Sequence, residues 1–323
     1  MVAQPRPLNN PNSSLRIHFA FGKIFFEMIC RPPRRKENAM AKCNVCYRFC
    51  EIAEGKTGFC GIRECVNGEI RPKNYGIATA LNLDPIEKKP IRRFHPGSMI
   101  LSVGSYGCNL RCPFCQNYEI SWSEEAMEGN GRWLSPEKLA DLAESLRSRG
   151  NIGVAFTYNE PLVAYEYVRD TAKLVSERGM KNVLVTNGMA SLSVLHEIAP
   201  YIDAMNIDLK GFTDRYYRDV LKGDRKMVMD FITEAVRHCH VELTTLIIPG
   251  ENDTEEEIRE LSRWVSNLTD ADGNNIGRKI PLHLSRFFPQ FHMTDRPATD
   301  VNKIYRLKKV SEEFLEYIYL GNI

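Results

Sequence analysis

Cys108-Asn109-Leu110-Arg111-Cys112-Pro113-Phe114-Cys115 is a C-x3-C-x2-C run set directly behind the apolar segment 99–103. Three thiolates this close in sequence can hold three irons of one cubane cluster, because soft sulfur ligands suit iron–sulfur centres. A ferredoxin-type cluster takes four cysteines. With three, one iron keeps an open position, the feature that separates catalytic from structural metal sites. The alternative is a zinc ion that borrows its fourth ligand from elsewhere in the chain.

Working outward, short β-rich runs alternate with helical patterns from residue 97 onward, the signature of βα units and a parallel sheet. Six strands are expected, at 99–103, 152–158, 182–186, 204–209, 242–248 and 280–284. Their apolar character is continuous rather than alternating, which suits strands covered on both faces. Ser135-Pro136 supplies an N-cap and a first-turn proline for a helix over 137–149. Asp253 with Glu256 reads as a capping box, and Gly150 and Gly179 stand where helices stop. Six βα units with right-handed crossovers curl into an open barrel smaller than the closed eightfold one.

Functional side chains of such barrels gather at the C-terminal ends of the strands. Here those ends carry Asn159-Glu160-Pro161, Thr186-Asn187-Gly188, Asp208 and Lys210-Gly211, Pro249-Gly250, and His283 with Ser285-Arg286. Each taken alone is an ordinary turn. Together they place polar groups around one rim that faces the cysteine loop.

Residues 40–96 differ in character, with Cys43, Cys46, Cys50, Cys60 and Cys65, five glycines and little sustained periodicity. They read as a small Cys-rich metal-binding module, since a core that short is rarely self-supporting. Cys43, Cys46, Cys50 and Cys60 suffice to close a candidate second metal site, either structural zinc or an electron-relay cluster. Cys65 could replace one ligand, and a group of reduced core thiols is the alternative. Cys30 and Cys239 stand apart and read as packing residues.

The 323 residues carry a net charge of only +2, which gives no reason to expect nucleic acid as a partner. No apolar run reaches the length of a membrane span. Cysteines at metal-ligand spacings, not in a disulfide framework, point to a reducing cytoplasm. Residues 1–39, proline-rich with seven basic and two acidic side chains, read as an extension outside the fold, with Met40 as an alternative start. A patch over 17–29 is too interrupted for a signal peptide; an amphipathic surface helix is the other reading. Trp122, Trp133, Trp264, Tyr106 and Phe114 read as packing residues.

The cysteine loop and its βα continuation resemble the radical S-adenosylmethionine (SAM) superfamily, near the branch of the pyruvate formate-lyase activating enzyme. Cys43-x2-Cys46-x3-Cys50, Gly58-Phe59-Cys60-Gly61 and Tyr158-Asn159-Glu160-Pro161 are similar, more narrowly, to the AmmeMemoRadiSam radical SAM enzymes. The resemblance spans about residues 43–320 and implies a partial (β/α)6 TIM-like barrel over 97–323. It also implies a [4Fe-4S] cluster on Cys108, Cys112 and Cys115, with SAM chelating the fourth iron. Reductive cleavage of SAM would give methionine and a 5′-deoxyadenosyl radical that abstracts hydrogen from a protein or small-molecule substrate. An electron donor such as ferredoxin or flavodoxin is implied too. By position, Asn159-Glu160 fall where the superfamily often has Gly-Gly-Glu beside the methionine amino group. Thr186-Asn187-Gly188 match the activating-enzyme Thr-Asn-Gly, although Val185 replaces the preceding aspartate. Asp208-Leu209-Lys210 match Asp-x-Lys, where lysine pairs with the SAM carboxylate, and His283 matches a SAM-side histidine. A glycyl-radical-enzyme activase and a non-enzymatic iron–sulfur carrier are the alternatives. A carrier, however, wants four thiolates, and three are present.

Overall fold

In the computed structural model, residues 39–122 and 131–323 are described. The extension expected over 1–39, with Cys30, lies outside these residues apart from its last position. The backbone is organised by one eight-stranded sheet whose spatial order follows the chain. Its strands are β1 (Ala80–Pro85), β2 (Met99–Gly104), β3 (Asn151–Phe156) and β4 (Lys181–Thr186), then β5 (Ala204–Asp208), β6 (His240–Ile247), β7 (Leu282–Arg286) and β8 (Ile318–Gly321). β1 pairs antiparallel with β2, and every later neighbour pairs parallel. The six expected strands are β2 to β7, within two residues at each end.

The helices between them are α1 (Pro136–Ser145), α2 (Tyr165–Glu177), α3 (Leu192–Ile198), α4 (Arg225–Ala235), α5 (Glu255–Ser266) and α6 (Val301–Glu312). The Ser135 hydroxyl accepts from Lys138 N at 3.3 Å, the cap read from the sequence. The capping box expected at Asp253 is displaced by one residue. Thr254 is the N-cap, accepting from Glu257 N at 3.2 Å. Asp253 instead accepts from Gly250 N and pairs with Lys303. α2 buries Tyr167, Val168, Thr171, Ala172 and Val175, the stripe of a helix laid on a sheet.

Two strands escaped the sequence reading. β8 has four half-buried residues, and β1 (Ala-Leu-Asn-Leu-Asp-Pro) lies within the segment read as the Cys-rich module. The boundary expected at 96/97 is therefore corrected: the described residues on either side of it belong to one compact unit, because β1 is bonded along its length to β2. The link from β1 to β2 then crosses the inner face of the sheet. Ile86 and Ile91 are fully buried with Ile100, Ala155, Val183 and Ala204. Pro90 O accepts from Asn206 Nδ2 at 2.8 Å. The link thus floors the barrel and leaves space only toward the C-terminal ends of the strands.

The Cys-rich segment is built from antiparallel pairs, Met40–Lys42 with Glu51–Ala53 and Arg63–Val66 with Glu69–Pro72. It leans on the barrel rim. Val45 O accepts from Ser191 N at 2.8 Å, and Arg63 pairs with Glu166 at 2.7 Å. Gly107 has φ +86°, and a Cβ there would lie 2.1 Å from Ile62 Cγ1, so only glycine lets the module approach. All nine cysteines of the described residues are free, which agrees with the sequence reading. No helix of the described residues is long and apolar enough to cross a membrane.

Candidate active site

A cavity of ≈ 940 Å³ opens at the C-terminal ends of the strands, above the floor formed by the link. Cys108, Cys112 and Cys115 lie on its wall, on the loop that leaves β2. Distant elements fix that loop: Arg111 N donates to Leu221 O at 2.9 Å, His292 N to Pro113 O at 2.8 Å, and Gln290 Nε2 to Phe114 O at 2.9 Å. Leu110 N at 3.4 Å and Asn187 Nδ2 at 3.5 Å both donate to Cys108 Sγ. Burial pushes all three thiols up, that of Cys112 to about 11, so thiolates form here only when a cationic centre compensates them.

The sulfur spacing discriminates between metals. A tetrahedral zinc holding thiolates at about 2.3 Å draws them to roughly 3.8 Å from one another. Among the described residues, the one trio of ligand atoms within 4.8 Å of one another is His196–Glu234–His238, which is not a cysteine set. The sulfurs of Cys108, Cys112 and Cys115 are thus not all gathered at the spacing a single ion imposes.

All seven residues singled out for cofactor contact line the cavity. They divide into two groups. Glu160 is buried and accepts from Leu162 N at 3.0 Å, Thr186 Oγ1 at 2.7 Å and Asn187 N at 2.8 Å. Burial pushes its carboxyl up to about 7 even though all three bonds pull it down. Asn187 Nδ2 donates to Asn109 Oδ1 at 2.9 Å. Asn159 Oδ1 accepts from Ser105 N, while its Nδ2 donates to the carbonyls of Tyr106, Gly107 and Glu160. The polar atoms of these four side chains are spent on joining the β3 and β4 ends to the cysteine loop. The Asn159 amide lines the cavity and is engaged at both ends within the protein. Tyr158, one of the two residues in the place of glycines, adopts φ +75°, a backbone glycine favours. Gly104 makes room for its ring, since a Cβ there would lie 2.7 Å from Tyr158 Cδ2.

The second group faces the open volume. Lys210 Nζ pairs with Asp208 Oδ2 at 2.7 Å. Burial works against the lysine charge, but Asp208 outweighs it and lifts Lys210 above its ordinary value. Asp208, Thr244, His283 and Tyr319 stand in one register row across β5 to β8. His283 Nε2 is held by Glu242 Oε2 at 2.7 Å, leaving Nδ1 as the ring's other polar atom, and the ring stacks on Tyr319 at 5.2 Å.

Glu242 was missed by sequence reasoning. It is fully buried and bonds His283, His240 Nε2 at 2.9 Å, Arg92 N at 2.9 Å and Arg93 N at 2.7 Å. Burial opposes its charge, yet these donors hold the carboxyl down at about 2. A lone glutamate inside an apolar strand run was the available signal, because such a side chain is rarely buried unpaired. The packing readings of Tyr106 and Phe114 agree with their burial, whereas Trp133 is mostly exposed over Gly76. Cys239 is half-buried, and burial lifts its thiol to about 12.

The family model described as "Radical SAM superfamily" matches residues 102–265. The chain is 37% identical over 284 residues to an uncharacterized protein of Methanocaldococcus jannaschii, covering 87% of this chain and 81% of that one. It is 28% identical over 220 residues to the pyruvate formate-lyase-activating enzyme of Clostridium pasteurianum, covering 65% of this chain and 89% of the enzyme. The crystal structure of Streptococcus suis SuiB bound to S-adenosylmethionine is similar in fold, with a TM-score of 0.51 at 12% identity, over 69% of this chain and 51% of that one.

Proposed function

Because the chain belongs to the radical SAM superfamily, whose members use a [4Fe-4S] cluster and SAM, we propose that Cys108, Cys112 and Cys115 are its cluster ligands and that the adjoining cavity receives SAM and substrate. When bound and reduced, cluster and SAM together supply a carbon radical that abstracts hydrogen from the substrate. The observation that carries this reading is the convergence of three thiols, one short of a full set, on the cavity that also holds the Asp208–Lys210 pair.

The chain's own residues then have separable tasks. Lys210 offers a half-buried ammonium to the carboxylate of a bound amino acid moiety, and Asp208 accepts from its amine. His283, its Nε2 tied to Glu242, presents a ring of fixed orientation. Glu160, Thr186, Asn187 and Asn159 act as positioning residues that keep the cysteine loop in register with β3 and β4.

The test is anaerobic reconstitution with iron and sulfide, followed by SAM cleavage with a low-potential reductant. Wild type should release methionine, and the Cys108→Ala/Cys112→Ala/Cys115→Ala protein should not. Full cleavage by the triple variant would overturn the assignment. For the substrate, a glycyl-radical protein is favoured by the likeness to the activating enzyme of Clostridium pasteurianum. A protein of the ferredoxin or flavodoxin class is the expected electron donor. A glycyl radical signal on a candidate partner after incubation with the reduced enzyme and SAM would support that substrate, and its absence would favour another protein or a small molecule.

A further inference from the structure

We propose that Cys43, Cys46, Cys50 and Cys60 hold a second iron–sulfur cluster, fully ligated by protein, that relays single electrons to the Cys108 loop; the relay, though not the cluster, rests on the function proposed above. The four thiols wall one small void together with Arg48 and Arg63. Cys65 stands off it, with its thiol directed at Glu54 Oε2 at 3.6 Å.

Two observations point to an anionic, polynuclear occupant. First, no three sulfurs of this set lie within 4.8 Å of one another, by the same comparison made for the Cys108 loop. A closed zinc site would gather them to roughly 3.8 Å; the wider spread suits ligands at the corners of a cluster. Second, the Nε groups of Arg48 and Arg63 are buried without a hydrogen-bond partner. Arg63, which lines the void, is 5% exposed, and its unpaired N–H is costly unless an acceptor reaches it. Sulfurs of a four-thiolate cluster, with net negative charge, are such acceptors. Arg63 N already donates to Cys60 Sγ at 3.4 Å.

The route to the first loop is continuous protein. Arg111 Nη1 donates to Cys108 O at 3.1 Å, and its Nη2 to Phe59 O, beside Cys60. Asn109 lines the void and is the chain neighbour of Cys108. Cys60, Ile62, Tyr106 and Val163 close one buried cluster at the same junction. In the relay, a reduced iron–sulfur or flavin protein gives one electron to the second cluster. That cluster is reoxidised as the first is reduced, and no atom or proton moves.

The experiment uses full-length protein carrying Cys108→Ala, Cys112→Ala and Cys115→Ala, reconstituted anaerobically with ferrous iron and sulfide. About four irons and four sulfides should remain per chain, with a paramagnetic signal on reduction that SAM does not perturb. Adding Cys46→Ser and Cys60→Ser should remove both. Zinc in place of iron, or no metal in a protein with native circular dichroism, would overturn the cluster. Arg63→Gln guards against misfolding of the serine variants: it should keep the iron and lower the midpoint potential of that signal, because one positive charge beside the reduced form is lost. An unmoved potential would remove Arg63 from the site and count against the anionic occupant.

The relay is tested in the Cys46→Ser/Cys60→Ser protein with an intact Cys108 loop. Reduction of its SAM-responsive signal by reduced flavodoxin should slow at least tenfold, while reduction by titanium(III) citrate keeps its rate. Equal slowing with both, or with neither, would overturn the relay. Failure of the proposed function reads differently: wild type would then show no SAM-responsive signal at all, whatever iron the triple variant retains.

Discussion

Cys108, Cys112 and Cys115 look into a ≈ 940 Å³ cavity shared with the charged pair of Asp208 and Lys210, whereas Cys43, Cys46, Cys50 and Cys60 turn toward one small void closed by arginines. The residue type is the same and the surroundings are opposite. Three thiols beside open volume leave a coordination position for a ligand; four thiols in a closed wall leave none. The first arrangement suits chemistry on a bound molecule, and the second suits holding or passing charge. Support differs in the same way. The Cys108 loop is clasped by Leu221, Gln290 and His292 from the far side of the barrel, so its shape is set by the whole sheet. The N-terminal set sits among short antiparallel pairs, with no sustained core of its own.

Four experiments test this contrast. The largest effect is expected from the Cys108→Ala/Cys112→Ala/Cys115→Ala protein, in which SAM cleavage should fall below detection while circular dichroism stays native, because the sheet needs no metal to fold. Loss of native structure would show that the first set, too, staples the fold.

Next in size is Glu242→Ala, which should destabilise the apo-protein by about 3–5 kcal/mol in urea unfolding, since a buried carboxylate with four donors is removed. Its carboxyl is held at about 2 in the folded chain against an ordinary 4.5. The unfolded chain therefore takes up the proton first, and stability rises with pH across that interval. The contribution is complete above about pH 4.5 and is lost as pH falls toward 2. Glu242→Gln should flatten that acid limb. An unchanged limb would place the acid sensitivity elsewhere.

Lys210→Ala is expected to weaken SAM binding by about 1.5–3 kcal/mol, roughly tenfold to a hundredfold, with iron content unchanged. Isothermal titration of the reconstituted protein measures it, and equal affinity would remove Lys210 from the SAM site. The smallest effect belongs to Cys239→Ala. This thiol lies on neither constellation and bonds weakly to Ala235 O at 3.9 Å, so metal content should stay fixed and stability should move by no more than about 1 kcal/mol. A change in bound iron would show a third role for cysteine in this chain.

The order of β2 to β7 was legible in the sequence because each is a short apolar run bounded by turn residues. The three-cysteine loop was legible because ligand spacing is local. Seven rim residues were correctly gathered to one cavity by the rule that strand ends converge. Their division into those that face the cavity and those that brace it was not legible. Asn159 and Asp208 look alike in sequence, and only packing shows that one amide is spent on Tyr106 and Gly107 while the other carboxylate meets Lys210.

Some features were decided by tertiary structure alone. β1 and β8 are too short or too irregular to declare themselves, and they exist because β2 and β7 offer open edges to pair with. Glu242 reads as an anomaly until His240, His283 and the backbone of Arg92 and Arg93 close around it. Residue type and spacing along the chain determined which chemistry this protein can hold. The meeting of residues far apart in the chain decided where that chemistry faces open space, because burial and hydrogen-bond completion are properties of the assembled fold.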